Sequence, residues 1–151
     1  MNGFYRVTDK IRETLQADVN CNTVTYGDIT QVDLNKQTIF PLAHIIVNSV
    51  TSNDTVLTFN ISVLAMDIVD VSKDEDVNIF VGNDNEQDVL NTQLAVLNKL
   101  IQKLRIGNLY VDKYQVLDDV VIEPFRDRFE NQIAGWTATM DIVIENDVNV
   151  C

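Results

Sequence analysis

Histidine, cysteine, proline and glycine are all scarce in this chain of 151 residues, which contains one His, two Cys, two Pro and five Gly. A zinc site needs several convergent His or Cys ligands, and Cys21 and Cys151 lie far apart in the sequence. The isolated glycines exclude a Gly-rich phosphate loop. We expect two free thiols, with a disulfide between them as the alternative. Because no stretch is repetitive or compositionally simple, we predict one domain over residues 1–151.

Basic residues are also scarce, with 11 Lys and Arg against 23 Asp and Glu, which gives a formal charge of −12. A negative surface repels phosphate, so this balance argues against nucleic-acid binding and against docking on anionic lipid. The longest apolar runs, such as residues 63–66, are far too short to cross a bilayer. Residues 1–12 lack the apolar stretch of a secretory signal. We expect a protein with no membrane partner that stays where it is made.

Catalytic motifs are missing as well. His44 lies in the apolar run of residues 42–47 with no nucleophile motif beside it, which favours a hydrogen-bonded structural role. No serine lies in a Gly-x-Ser-x-Gly elbow. Asp118 and Asp119 are neighbours in a predicted strand and point to opposite faces, which argues against a carboxylate pair for acid–base chemistry.

The start of a calcium loop is superficially matched by residues 74–78. However, Ile79 occupies the position of the required glycine, and Asn85 occupies that of the closing glutamate. A solvated acidic loop is the favoured interpretation. We therefore predict no catalytic, cofactor or metal-binding residue, and we do not expect an enzyme.

Hydrophobic periodicity predicts two helices. Residues 3–17 place Phe4, Val7, Ile11 and Leu15 at helical spacing. A longer helix follows an acidic loop or arm at about residues 72–85. We expect Asn83 to cap it together with Glu86, Gly107 to end it, and its buried stripe to consist of Leu90, Leu94, Leu97, Ile101 and Leu104.

The hydrophobic pattern of the remaining segments predicts strands. Residues 39–50 and 56–71 should pair antiparallel through a polar turn at residues 51–54, with a bulge or twist near residues 63–65, where the apolar face switches. A strand from residue 114 is expected to be interrupted by Asp118 and Asp119 and to end at Glu123-Pro124. The last strand spans residues 133–145. This order predicts an α+β domain with a mainly antiparallel sheet and helices packed on one face.

Three segments resemble those of tailed-bacteriophage neck and tail-terminator (tail-completion) proteins: residues 38–44 (TIFPLAH), residues 64–70 (LAMDIVD) and residues 124–136, which contain PFRDRFEN and Gly135-Trp136. The element order is similar over most of the chain. The resemblance implies a virion subunit, assembled in the host cytoplasm, that forms a ring of six or alternatively twelve copies. Such a ring seals the tail or joins it to the head connector, with the tail tube or neck proteins as partners. It implies no catalysis and no cofactor.

The residues themselves are consistent with that role. Acidic walls let DNA pass through a ring without specific binding, although acidity that serves solubility is an equal alternative. The acidic arm either lines the channel, contacts a neighbour or is a solvated excursion. Phe125 and Phe129 have the spacing of one side of a helical turn, with core packing as the alternative. The candidate interface residues are Asp74, Glu75, Asp76, Asp84, Phe125, Phe129 and Trp136.

A monomeric acidic adaptor, or an inhibitor that mimics DNA to occupy a basic host protein, is the second hypothesis. The net charge supports it equally well. Such a protein would carry acidic residues along one continuous face, which a ring subunit does not need.

Overall fold

Five strands form one sheet in the computed structural model, which describes residues 3–27, 40–69, 86–107, 113–127 and 133–146. The sheet order is β1-β2-β3-β5-β4, and every pairing except the parallel one between β1 and β2 is antiparallel. The elements along the chain are α1 (Gly3–Gln16), β1 (Thr23–Tyr26), β2 (Leu42–Ser52), β3 (Val56–Ile68), α2 (Glu86–Arg105), β4 (Tyr114–Asp127) and β5 (Ile133–Glu145). The predicted α+β class with a mainly antiparallel sheet is confirmed.

Both helices pack on the same face of the sheet, as predicted, and enclose the main core. Helical spacing brings Val7, Ile11 and Leu15 of α1 into this core. The buried face of α2 differs from the predicted stripe, because Leu90 and Leu94 are only half-buried. Its buried positions are Val89, Gln93, Val96, Leu97, Leu100, Ile101 and Leu104. At the N-terminal end of α2, the buried positions therefore lie one residue earlier than predicted.

The β2–β3 hairpin confirms the predicted polar turn. Asn53 Oδ1 accepts hydrogen bonds from the backbone N–H groups of Thr55 (2.9 Å) and Val56 (2.8 Å), which closes the turn. Of the two alternatives predicted for β3, the bulge is wrong, because β3 pairs with β5 without interruption. The register shift lies instead in β2, between Val47 and Ser49.

A second apolar cluster explains why the sequence pattern of β3 switches face. Leu64 and Ile68 pack against Phe40, Leu42, Met66 and Ile133 on the face opposite the helices. The end of β3 is thus buried on both faces, which needs no bulge in the strand.

Strand β4 is at one edge of the described sheet. The interruption predicted at Asp118 and Asp119 is confirmed by a register shift between Leu117 and Val121. The predicted end at Glu123-Pro124 is wrong, since β4 continues to Asp127. A proline lacks only the backbone N–H, and an edge strand tolerates this loss where that group would face away from its partner.

Candidate functional site

A groove lies between α1 and β1, the strand at one edge of the described sheet, and we call it the α1–β1 groove. It has a volume of about 340 Å³ and is lined chiefly by Phe4, Tyr5, Thr8, Arg12, Val24 and Tyr26. Strand β1, which forms one wall of this groove, was not predicted from the sequence. Val24 and Tyr26 alternate with Thr23 and Thr25, but a pattern of four residues is too short to predict a strand.

Aromatic side chains dominate this groove. The ring of Phe4 packs edge-on against Tyr5 (centroid distance 6.3 Å) and Tyr26 (6.0 Å), and it lies 6.4 Å from the ring of Phe59. Tyr5 is nevertheless 68% exposed and Tyr26 is 57% exposed. Clustered, exposed aromatic rings are typical of surfaces that bind another molecule, because they bury large apolar area at small entropic cost.

His44 holds β1 in place beside the groove. Its Nδ1 lies 2.6 Å from Thr25 Oγ1, and its Nε2 lies 2.7 Å from the carbonyl oxygen of Gly27. A carbonyl only accepts, so Nε2 donates to Gly27, and in the neutral ring Nδ1 accepts from the Thr25 hydroxyl. The ring is fully buried, which confirms the predicted structural role of His44.

Gly27 completes this arrangement. Its φ of 102° is a conformation that other residues rarely adopt, and its N–H donates to the carbonyl of Ile45 at 3.0 Å. The turn at Gly27 and the imidazole of His44 together fix the end of β1, where Tyr26 enters the groove.

The opposite edge of the described sheet, formed by β4, exposes both apolar and acidic side chains. We call the exposed residues Leu117, Asp119, Val121 and Glu123 the β4 edge patch. Leu117 is 38% exposed and Val121 is 62% exposed, and the exposed carboxylates of Asp119 and Glu123 alternate with them. Leu117 pairs with Asp141 and Val121 with Thr139, so both apolar side chains lie on the face opposite the helices. The patch therefore combines apolar surface with negative charge.

Charge is unevenly distributed between the helices and the rest of the chain. The two helices carry six basic residues (Arg6, Lys10, Arg12, Lys99, Lys103, Arg105) and four acidic ones (Asp9, Glu13, Glu86, Asp88), which gives a net charge of +2. Since the whole chain carries −12, the remaining residues carry −14. The two helices are thus net positive in a strongly negative chain.

The open face of the sheet carries a hydrogen-bonded polar network at its centre. The Asn48 amide donates to Asn60 Oδ1 (2.9 Å) and to Ser62 Oγ (2.8 Å), and the Asn60 amide donates to Asp141 (2.9 Å). Ser62 and Thr139 share a further bond of 3.1 Å. Amide and hydroxyl groups therefore outnumber carboxylates at this centre.

The predicted interface residues are not brought together by the described part of the fold. Asp74, Glu75, Asp76, Asp84 and Phe129 lie outside the described residues, as does the whole acidic arm at 72–85. Phe125 is half-buried against the second apolar cluster, and it lies in a strand, so the predicted helical turn is wrong there.

Trp136 lies on the other face of the sheet. Its Nε1 donates to the carbonyl of Leu90 at 2.7 Å, and its ring packs against the main core. The side chain therefore joins β5 to α2.

Cys21 is a free cysteine in the described part of the chain. Burial, followed by the negative charge of Asp18, raises the pKa of the Cys21 thiol to about 11, so this free thiol is inert near neutral pH. Across the five described segments, no three acidic, His or Cys side chains group as metal ligands. No helix within those segments is long and apolar enough to cross a membrane.

The described part of the chain is thus an α+β protein with a mainly antiparallel sheet, an aromatic groove beside β1 and an acidic, apolar patch on β4. No protein-family model matches the chain. Comparison with characterised proteins likewise gives no match.

Proposed function

We propose that this chain is a structural subunit of the neck or tail of a tailed bacteriophage, where copies of it form a ring around the DNA channel. In this role it acts as a tail terminator or head–tail joining protein, with the tail tube on one rim and the head connector on the other. It works by shape and surface complementarity, and it makes or breaks no covalent bond.

The observation that carries this proposal is the difference between the two edges of the described sheet. Rings arise from head-to-tail contacts, which need two different and complementary surfaces on each subunit. The aromatic α1–β1 groove is at one edge and the acidic, apolar β4 edge patch is at the other. A subunit built in this way supports a contact that repeats around an axis.

The charge distribution supports passage of DNA through such a ring. Outside the helices the chain carries a charge of −14, which repels phosphate at any wall that faces the lumen. DNA then moves through the ring without specific binding. The ring belongs to the virion and forms in the cytoplasm of the host.

The centre of the open face of the sheet, unlike its β4 edge, supports this role over that of a DNA mimic. A mimic needs carboxylates spaced along one face like phosphates, whereas Asn48, Asn60, Ser62 and Thr139 occupy the centre of this face. Asp141 is the one carboxylate in that network, and an amide holds it in place.

Electron microscopy of the purified protein, alone and with tail-tube or connector proteins, tests the proposal. We expect closed rings of uniform size, and we expect mass spectrometry of purified virions to detect the chain. A protein that forms no ring with or without those partners, and that is absent from particles, would contradict the proposal. Recovery of a host nucleic-acid enzyme on the immobilised monomer would then favour the acidic mimic.

A further inference from the structure

We propose that the α1–β1 groove binds a short peptide segment in which one large apolar side chain is flanked by uncharged residues. The apolar side chain enters between the rings of Tyr5 and Tyr26, and the peptide groups beside it contact Asp9 and Arg12. The site is formed by a single chain and needs no ring, so this inference goes beyond the proposed function.

The size of the groove suits a side chain together with the backbone that carries it. Its volume of about 340 Å³ lies near the lower end of the range of small-ligand pockets, about 300–1,000 Å³. Three aromatic rings line it, and the least exposed of them, Phe4, is backed by the buried ring of Phe59. The rings of Tyr5 and Tyr26 are each turned by 80° relative to that of Phe4. The groove therefore offers an apolar base and two aromatic walls, to which a large apolar side chain is complementary.

The charges in the groove are of both signs. Asp9 and Arg12 both line it, and both are exposed. In the described part of the chain, neither side chain forms a hydrogen bond or an ion pair. The hydroxyl of Thr8, by contrast, already donates to the carbonyl of Phe4 at 2.8 Å. A carboxylate that accepts and a guanidinium that donates are therefore both available to a ligand.

A peptide group matches this pair of charges. An anion would be repelled by Asp9 and a cation by Arg12, whereas a peptide group carries one N–H donor, one C=O acceptor and no net charge. Its N–H donates to the carboxylate of Asp9, and its C=O accepts from the guanidinium of Arg12. The mixed charge of the groove therefore favours a neutral segment of peptide over a charged ligand of either sign.

The walls of the groove are fixed before a ligand binds. The buried imidazole of His44 and the turn at Gly27 hold the end of β1, which carries Tyr26. Tyr5 lies in α1, whose buried side chains belong to the main core. Little ordering of the protein is therefore needed on binding, which favours affinity even for a short segment.

Titration of the full-length protein with four acetylated and amidated pentapeptides, followed by NMR of the tyrosine rings, tests the proposal. Three of the peptides carry a central phenylalanine flanked by two serines, two glutamates or two lysines, and the fourth carries alanine between two serines. The titration is done in about 0.3 M salt, where the net charge of −12 is largely screened. We expect the peptide with phenylalanine between serines to bind about fivefold more tightly than either charged peptide, and the alanine peptide to shift no resonance. Equal shifts from all four peptides, or no shift from any, would overturn the inference.

Neutral variants of the two charged residues test the selection itself. Arg12→Gln removes the repulsion of cations, so the lysine-flanked peptide should then bind about as tightly as the serine-flanked one. Asp9→Asn should do the same for the glutamate-flanked peptide. Glu13→Gln, at an exposed position of the same helix outside the lining of the groove, is the matched control and should leave the order of affinities unchanged. The same order in all three variants would show that the charges of the groove do not select the ligand, and it would overturn the inference.

The outcome of these titrations is separate from that of the proposed function. Rings formed by a chain that binds none of the four peptides would refute this inference and leave the proposed function intact. Selective peptide binding by a chain that forms no ring and is absent from virions would refute the proposed function alone.

Discussion

His44 Nε2 donates a hydrogen bond of 2.7 Å to the carbonyl oxygen of Gly27, and this bond ties the end of an edge strand to the interior of the sheet. The other ring nitrogen contacts Thr25 across the parallel β1–β2 pairing. One buried imidazole therefore fixes the backbone that presents Tyr26 to the α1–β1 groove.

The first prediction concerns this imidazole. His44→Phe keeps most of the buried volume but leaves the Gly27 carbonyl and the Thr25 hydroxyl without their partner. We expect the free energy of unfolding to fall by about 2–4 kcal/mol, measured by urea denaturation. Thr25→Val removes only one of the two bonds and should cost about 1–2 kcal/mol. A His44→Phe protein as stable as the natural one would contradict the role assigned to the ring.

Gln93 gives the second prediction. Its Nε2 is buried on the inner face of α2 and has no hydrogen-bond partner among the residues that the structure describes, and an unpaired buried amide is destabilising. Gln93→Leu should therefore raise the free energy of unfolding by about 1–2 kcal/mol. Gln102→Leu, at an exposed position of the same helix, should change it by less than about 0.5 kcal/mol. A loss of stability on Gln93→Leu would show that the amide is paired in solution.

Gly135 is the subject of the third prediction. A Cβ atom at this position would clash with the Ala65 carbonyl oxygen and would lie 2.8 Å from Met66 Cα, both in the paired strand β3. Gly135→Ala should force β3 and β5 apart and cost about 3 kcal/mol in thermal or chemical unfolding. Gly27→Ala meets open space but requires a positive φ, so it should cost only about 1 kcal/mol. Equal losses in the free energy of unfolding of the two variants would contradict this prediction.

Cys21 leads to a fourth prediction, about pH. Burial raises the pKa of its thiol from 9.0 to about 11, so at pH 8 its thiolate fraction should be about a hundredfold lower than in the unfolded chain. The reaction of Cys21 with a disulfide reagent, followed in Cys151→Ser, should be slower by a similar factor and should recover in urea.

The raised pKa of Cys21 also predicts how the stability of the protein changes with pH. The folded pKa is above the unfolded one, so the protonated thiol favours the folded state, fully below about pH 9 and progressively less as the pH rises toward 11. Unfolding curves of the natural chain should therefore lose more stability between pH 9 and pH 11 than those of Cys21→Ser. Parallel losses in the two proteins would contradict the raised pKa.

Trp136 provides the fifth prediction, which separates packing from assembly. Trp136→Phe removes the hydrogen bond to Leu90 and should lower the free energy of unfolding by about 1 kcal/mol, with ring formation unchanged. If a Trp136→Phe protein remains folded but no longer assembles into oligomeric rings, the result would instead support the interface role predicted from the sequence.

Long periodic segments were predictable from the sequence, because their burial pattern is set by local geometry. The α1 stripe of Val7, Ile11 and Leu15 and the bounds of β5 follow from spacings of 3.6 and 2 residues. The structural role of His44 was predictable for a similar reason, since a polar ring in an apolar run must find partners.

Features that depend on tertiary position were not predictable. Pro124 predicts the end of a strand unless β4 is known to lie at an edge of the sheet. The position of β4 depends on the order of the strands, which the sequence does not show. The α1–β1 groove was missed because Tyr26 lies in a four-residue strand that becomes regular only when it pairs with β2. The exposed Tyr5, outside the apolar stripe of α1, was the one local signal.

The irregular course of β4 limits how copies of this chain can join. The register shift before Val121, together with Pro124, interrupts the row of backbone donors that a foreign strand would need for pairing. Pairing of a foreign strand along this edge is consequently disfavoured, as is growth of the sheet into a continuous ribbon. A contact through this edge therefore depends on its side chains rather than on its backbone.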